Sequence, residues 1–316
     1  GSMMTRFLPV RVSILALALI VTAGNAQQIP SATSIRPTFE RGTGPLLAID
    51  QAHQNTQRSN FRGLEDLLRD DGYRVRPITE AFTAASLSGL EVLVISNPGG
   101  WQGPTASLTP DEVLAVLEWV RTGGALLLVL DHMPGPQNAA RLTEALGVRT
   151  WHDGYAMVEL PDRPRVGNII FWRSGSLPAG EPVVGPTDPA GGAGYQGTDA
   201  VLVAHAITDG RDPDERVRRV ATFVGSAFQP PPGAEPLLTL PKMAMSFTPQ
   251  ETPGARPVFS GDTPRTPVGG WLQGAVLTIG QGRVALFGET GLFSGGPAAD
   301  NRRFVLNLLR WLAGRP

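Results

Sequence analysis

Asp50-Gln51-Ala52-His53-Gln54-Asn55 follows the apolar run Leu46 to Ile49, and Asp131-His132 follows the apolar run Ala125 to Leu130. Two of the chain's four histidines thus stand at or just past an apolar run of strand character. Gly288-Glu289 ends a third such run. Carboxylates and imidazoles delivered to one place can do two kinds of chemistry. They can ligate a divalent metal such as zinc or manganese, and Asp50, His53 and His132 are the expected ligands. They can equally move protons, because imidazole titrates near neutral pH. His53, His132, Asp131 and Glu289 are the candidate catalytic residues in that reading. Adjacent residues of a regular strand point to opposite faces. Asp131 and His132 can therefore share a site only where the strand has ended, and Asp131 could instead orient His53. Asn55, Gly100 and Trp101 are the candidate substrate contacts, with the Trp101 ring as a stacking platform for a sugar.

Each of these residues also has a plainer role. Asp50 can cap its own loop, and a lone histidine is often no more than a satisfied hydrogen-bonding group. Trp101 can be a turn residue. His205 is followed by Ala-Ile-Thr-Asp-Gly, which reads as a turn, and His152 reads as a surface residue. Other chemistries are excluded. The chain has no cysteine, so it forms no disulfide, thiolate metal site, lipoprotein anchor or cysteine nucleophile. It has no G-x-S-x-G elbow, and no G-x-G-x-x-G or P-loop follows the first apolar run.

The elements that must position these residues alternate. Pro45 to Ile49, Tyr73 to Ile78, Leu90 to Ser96 and Ala125 to Leu130 read as strands, most of them apolar enough for burial on both faces. Phe61, Leu64, Leu67 and Leu68 recur at helical spacing over residues 60–70. Thr109 with Glu112 makes a capping box, Pro110 sits at the first helical position, and the helix runs to Arg121. A third helix is expected over Asn138 to Leu146. Residues 45–147 therefore predict a parallel sheet covered by helices, with the ends of the first, third and fourth strands along one edge. Residues 151–200 turn rich in Gly, Pro and Asp and read as an irregular, β-containing insertion or lid. Gly274 to Ile279 and Arg283 to Phe287 form a hairpin around Gly280-Gln281-Gly282. Asn301 to Leu312 is an amphipathic helix, packed through Phe304, Val305, Leu308, Leu309 and Leu312, with Arg302, Arg303 and Arg310 expected in water.

This order of elements resembles the class I glutamine amidotransferase-like superfamily, within it a bacterial exported domain family of unknown function, and more remotely the trehalose-utilisation type proteins. The residues that carry the resemblance are Asp50-x-x-His53-x-Asn55, Glu118-Trp119-Val120-x-x-Gly123-Gly124, Asp131-His132-x-Pro134, Gly288-Glu289 and Asn307-x-x-x-Trp311-Leu312. They cover about residues 45–147 and 274–313. The resemblance implies a flavodoxin-like α/β fold: a three-layer sandwich with a mainly parallel central sheet, a β-rich insertion, and a C-terminal hairpin and helix. The superfamily's cysteine nucleophile is missing here, so glutaminase chemistry does not carry over.

Arg6 and Arg11, the apolar stretch Val12 to Ala23, and Gly24-Asn25-Ala26 read as a signal peptide for export within residues 1–26, after a Gly1-Ser2 cloning scar, with an uncleaved N-terminal anchor as the alternative. A linker over 27–44 and one α/β domain over 45–316, with its insertion at about 151–273, are expected to follow. Export to the bacterial periplasm is the implied location, with no further membrane-spanning segment. Net charge is −1, which gives no electrostatic case for nucleic acid. The partner expected is a small-molecule or saccharide ligand. Two functions are consistent with these residues: a hydrolase or lyase, and a non-catalytic envelope module that binds a glycan or a protein.

Overall fold

The computed structural model describes residues 36–55, 60–158, 169–174, 184–185, 197–250, 257–294 and 299–314. The expected leader and parts of the 151–273 insertion lie outside these residues. The strands are β1 Leu46–Asp50, β2 Arg74–Ile78, β3 Val92–Ser96, β4 Ala125–Val129, β5 Trp151–Val158, β6 Ile169–Ser174, β7 Val184–Gly185 and β8 Gly197–Leu202. They continue as β9 Arg219–Thr222, β10 Gly225–Phe228, β11 Glu235–Thr239, β12 Ala244–Phe247, β13 Arg265–Pro267, β14 Leu272–Ile279 and β15 Gly282–Phe287. The helices are α1 Asn60–Asp70, α2 Pro110–Arg121, α3 Gly135–Asn138, α4 Ala140–Ala145, α5 Ala206–Asp209 and α6 Asn301–Leu312.

The strands β2-β1-β3-β4-β15 lie side by side and run parallel. The ends of β1, β3, β4 and β15 therefore share one edge of the sheet. Period-two alternation divides their side chains between two cores. Leu47, Ile49, Val94 and Leu127 face α1 and α6, where Phe61, Leu64, Phe304 and Leu308 pack. Ala48, Leu93, Ile95, Leu126 and Leu128 face Val113, Val116 and Leu117 of α2 and Leu142 of α4. This is the expected three-layer α/β sandwich with a mostly parallel centre.

Beyond β15 the sheet turns antiparallel through β14, β10, β5, β12 and β13. The described strands of the middle segment thus extend the same sheet, where an irregular insertion was expected. β5 is a regular eight-residue strand. The helix expected over 138–146 is instead two short helices, because Pro136 in the first turn of α3 starts helical structure one turn earlier. Two surface expectations also fail. Arg310 is buried, because its guanidinium bonds to Glu215 and Asn307. His152 is half-buried, with Nε2 bonded to Thr266 Oγ1 at 3.0 Å, and burial pushes its pKa down. His205 does serve a turn: it is the N-cap of α5, and its Nδ1 accepts the Ile207 N–H at 3.1 Å.

Candidate functional site

The carboxyl edge of the sheet carries three polar clusters. The first centres on His53. Its Nδ1 lies 2.9 and 3.0 Å from the two Asp50 carboxylate oxygens, and its Nε2 lies 2.9 Å from Glu112 Oε1. Carboxylate oxygens only accept, so both ring nitrogens donate and the ring is held as an imidazolium. Burial alone would lower the His53 pKa. The hydrogen bonds and charges of Asp50 and then Glu112 outweigh that, and the net shift is upward from 6.5. Glu112 moves the other way. Burial raises it, but the Thr109 N–H and hydroxyl, together with His53 and the Phe82 N–H, hold it below the usual carboxylate range. Glu112 is thus both the capping-box acid of α2 and a wall of the His53 cluster. Asp50 also caps its own loop, accepting the Ala52 N–H at 2.9 Å. Phe82 packs on the imidazole, with ring centroids 4.7 Å apart.

The second cluster is Asp131 and Glu289. Asp131 accepts the His132 N–H at 2.9 Å and the Thr290 hydroxyl at 2.5 Å. It orients its own neighbours, and it is Asp50 that takes the place at His53 Nδ1. Glu289 accepts the N–H of Gly291 at 2.5 Å and of Leu292 at 2.8 Å, so it holds the short helical turn Gly291–Phe293. Burial, and next the Asp131 charge, push its pKa up to about 8 against those backbone donors.

The third cluster encloses a cavity of about 80 Å³, lined by Asn97, Gly100, Trp101, His132, Met133, Pro134, Gly135 and Asn138. His132 is fixed there from two sides. Its ring stacks on Tyr155 with centroids 4.2 Å apart and an interplanar angle of 19°. Its Nδ1 lies 2.9 Å from the Met133 carbonyl oxygen. A carbonyl cannot donate, so Nδ1 carries the hydrogen, and in the neutral form of the ring the lone pair is on Nε2. Trp101, 41% exposed, stands at the rim.

Of the candidates, then, His132, Gly100 and Trp101 come together around one cavity. Asp50 and His53 pair with each other and Glu112, and Asp131 and Glu289 form the neighbouring carboxyl pair. Asn55 is half-exposed, has an interaction partner, and lies outside the residues that line the cavity. Asp50, His53 and His132 are not brought together here as a metal-holding group. No group of three or more His, Asp or Glu side chains among the described residues could hold a metal ion. The reason is local: both nitrogens of His53 are spent as donors to carboxylates, so it has no lone pair to give. Glu112 and Asn97 are the residues the sequence left unassigned. The capping box explained Glu112 completely, and Asn97-Pro98-Gly99-Gly100 read only as a strand breaker. The usable signal was that Asn97 follows a buried strand just as Asp131 does.

No protein-family model matches this sequence, and no curated protein does. Solved structures do resemble it. The N-terminal domain of mmIFT52 superposes with a TM-score of 0.54 at 12% identity, over 84% of this chain and 97% of that one. The likeness is one of fold. A cytoplasmic protein from Salmonella typhimurium superposes at 0.47 and 13% identity, over 85% and 98% of the two chains. A ThuA-like protein from Bacteroides uniformis superposes at 0.44 and 12% identity, over 90% and 95%. No helix of the described residues is long and apolar enough to cross a membrane.

Proposed function

We propose that this chain is a cysteine-free, amidotransferase-like hydrolase or lyase, exported to the bacterial periplasm, that acts on a small polar or saccharide substrate. His132 Nε2 is the proton acceptor. One observation carries this reading: the Met133 carbonyl fixes the His132 tautomer and leaves an unshared electron pair on the ring of a residue that lines a cavity with an exposed tryptophan. A backbone partner on one imidazole nitrogen is how a general base is commonly oriented. The cavity takes a group of a few heavy atoms, and the Trp101 face offers apolar stacking for the remainder of a sugar ring. Asp131 holds the His132 backbone and Glu289 holds the adjoining turn, so both act by positioning. The leader-like residues 1–26 support the location.

The non-catalytic alternative, a module that binds a glycan or protein at the same edge, has its own observation. Asp50, His53, Glu112, Asp131 and Glu289 all use their hydrogen bonds on this edge itself. The two readings separate in one experiment. Wild type and His132→Gln are assayed on nitrophenyl esters and glycosides, with ligand-induced thermal shifts on the matching sugars. Loss of a general base lowers turnover about 10²–10⁴-fold, so turnover that collapses in His132→Gln supports catalysis. Thermal shifts without turnover, unchanged in His132→Gln, support the binding module and overturn the enzyme reading.

A further inference from the structure

Asn97 sits immediately after β3 with φ 39°, a left-handed conformation that asparagine tolerates better than most residues. It is 5% exposed and lines the His132 cavity. Its Oδ1 accepts the Asp131 N–H at 2.8 Å. Only the amide oxygen can accept that proton, so the contact fixes which way the amide faces. Gly135 holds it from the other side: a Cβ there would stand 2.5 Å from Oδ1, which leaves no room for a side chain. Nδ2 has no partner among the described residues, yet it is not among the sealed polar atoms. An unspent amide donor therefore belongs to a side chain that lines the same cavity as His132.

The second amide is the complement of the first. Asn138 donates through Nδ2 to the Gly100 carbonyl at 2.7 Å, which leaves its Oδ1 as an acceptor on the same lining. His132 Nε2 is a further acceptor. The lining contains no Arg, Lys, Asp or Glu among the described residues. With His132 in its neutral form, a carboxylate or phosphate would meet two lone pairs and no cation there, which disfavours both. A neutral hydroxylated group can give its O–H hydrogens to His132 and Asn138 and receive the Asn97 N–H.

Building on the reading of this cavity as the working site, we infer that Asn97 is a specificity-determining residue. Its Nδ2 donates to an oxygen of a neutral vicinal diol, the group a sugar edge presents, and thereby selects diols over carboxylates. The test is NMR on the full chain, observing the Asn97 side-chain amide and the His132 ring nitrogens during titration with ethylene glycol and, separately, acetate. Saturable glycol shifts are expected at both residues, with none from acetate. Asn97→Asp keeps the oxygen that accepts from Asp131 but removes the donor, and glycol affinity is expected to fall at least about tenfold. Asn97→Gly, which accommodates the positive φ, serves where Asn97→Asp does not fold. If glycol moves His132 but not Asn97, or binds either variant as well as wild type, the assignment of Asn97 fails while the reading of His132 stands. If glycol moves neither residue, the assignment fails too, and the His132→Gln assay alone decides the reading of the cavity. Acetate binding as strong as glycol overturns the selectivity.

Discussion

Replacing His53 by leucine tests whether the imidazolium between Asp50 and Glu112 holds the edge together. Leucine keeps roughly the volume and removes both donors, so two buried carboxylates lose a shared cation. Breaking a buried ion pair from one side costs about 3–5 kcal/mol. Asp50 keeps the Ala52 N–H, and Glu112 keeps the Thr109 and Phe82 donors, which places the expected loss near the lower limit, at about 3 kcal/mol. For a domain of this size that is a drop of roughly 6–12 °C in Tm. The pH dependence is the stricter check. The folded-state pKa of His53 lies above its ordinary 6.5. Its contribution is therefore complete below the unfolded value and is lost as pH rises through the folded one. Thermal unfolding followed by circular dichroism at about pH 6 and about pH 9.5 should show a wide gap between wild type and His53→Leu at the lower pH and a narrower one at the higher. A gap that stays constant with pH, or a loss below about 1 kcal/mol at pH 6, would refute the ion-triad reasoning.

Two further substitutions test the same edge. Glu289 keeps its proton up to about pH 8 in the fold against 4.5 as an ordinary side chain. Its contribution is full below the unfolded value and is lost as pH climbs through about 8, so urea midpoints of wild type should fall over that range, by up to about 1.4 kcal/mol per pH unit. Glu289→Gln should flatten the slope, and an unchanged slope places the titration elsewhere. Gly225→Ala would set a Cβ 2.0 Å from the Gly288 carbonyl oxygen and 2.9 Å from Glu289 Cβ. Urea unfolding should show a loss of at least about 1–3 kcal/mol, and a change under about 0.5 kcal/mol would mean that β10 shifts freely.

The edge itself was legible because buried parallel strands are continuous apolar runs, and a polar residue after such a run is easy to see. Asp50, Asp131 and Glu289 were found that way, and the structure places all three at the carboxyl edge. Their partners were not legible. Glu112 lies 59 residues from His53, and its local role as a helix cap left nothing unexplained to draw attention to the longer contact. Arg310 shows the same limit: helical periodicity put it on the outer face of α6, and only the approach of Glu215 from 95 residues away makes its burial tolerable. Asn97 had neither a charge nor a periodic pattern to mark it.

The sequence by itself determined the elements over residues 45–130 and 274–312, the shared edge and the absence of thiol chemistry, since these follow from apolar periodicity, helix caps and composition. Only the tertiary structure decided which of the edge residues keeps a usable lone pair. His53 and His132 have the same side chain and nearly the same position relative to a strand. One faces two carboxylates and becomes a fixed cation, while the other faces a single carbonyl, keeps an unshared pair on its ring and lines a cavity. That difference is set by groups far apart in the chain, because a hydrogen-bond partner is chosen by proximity in space and not by neighbourhood in sequence.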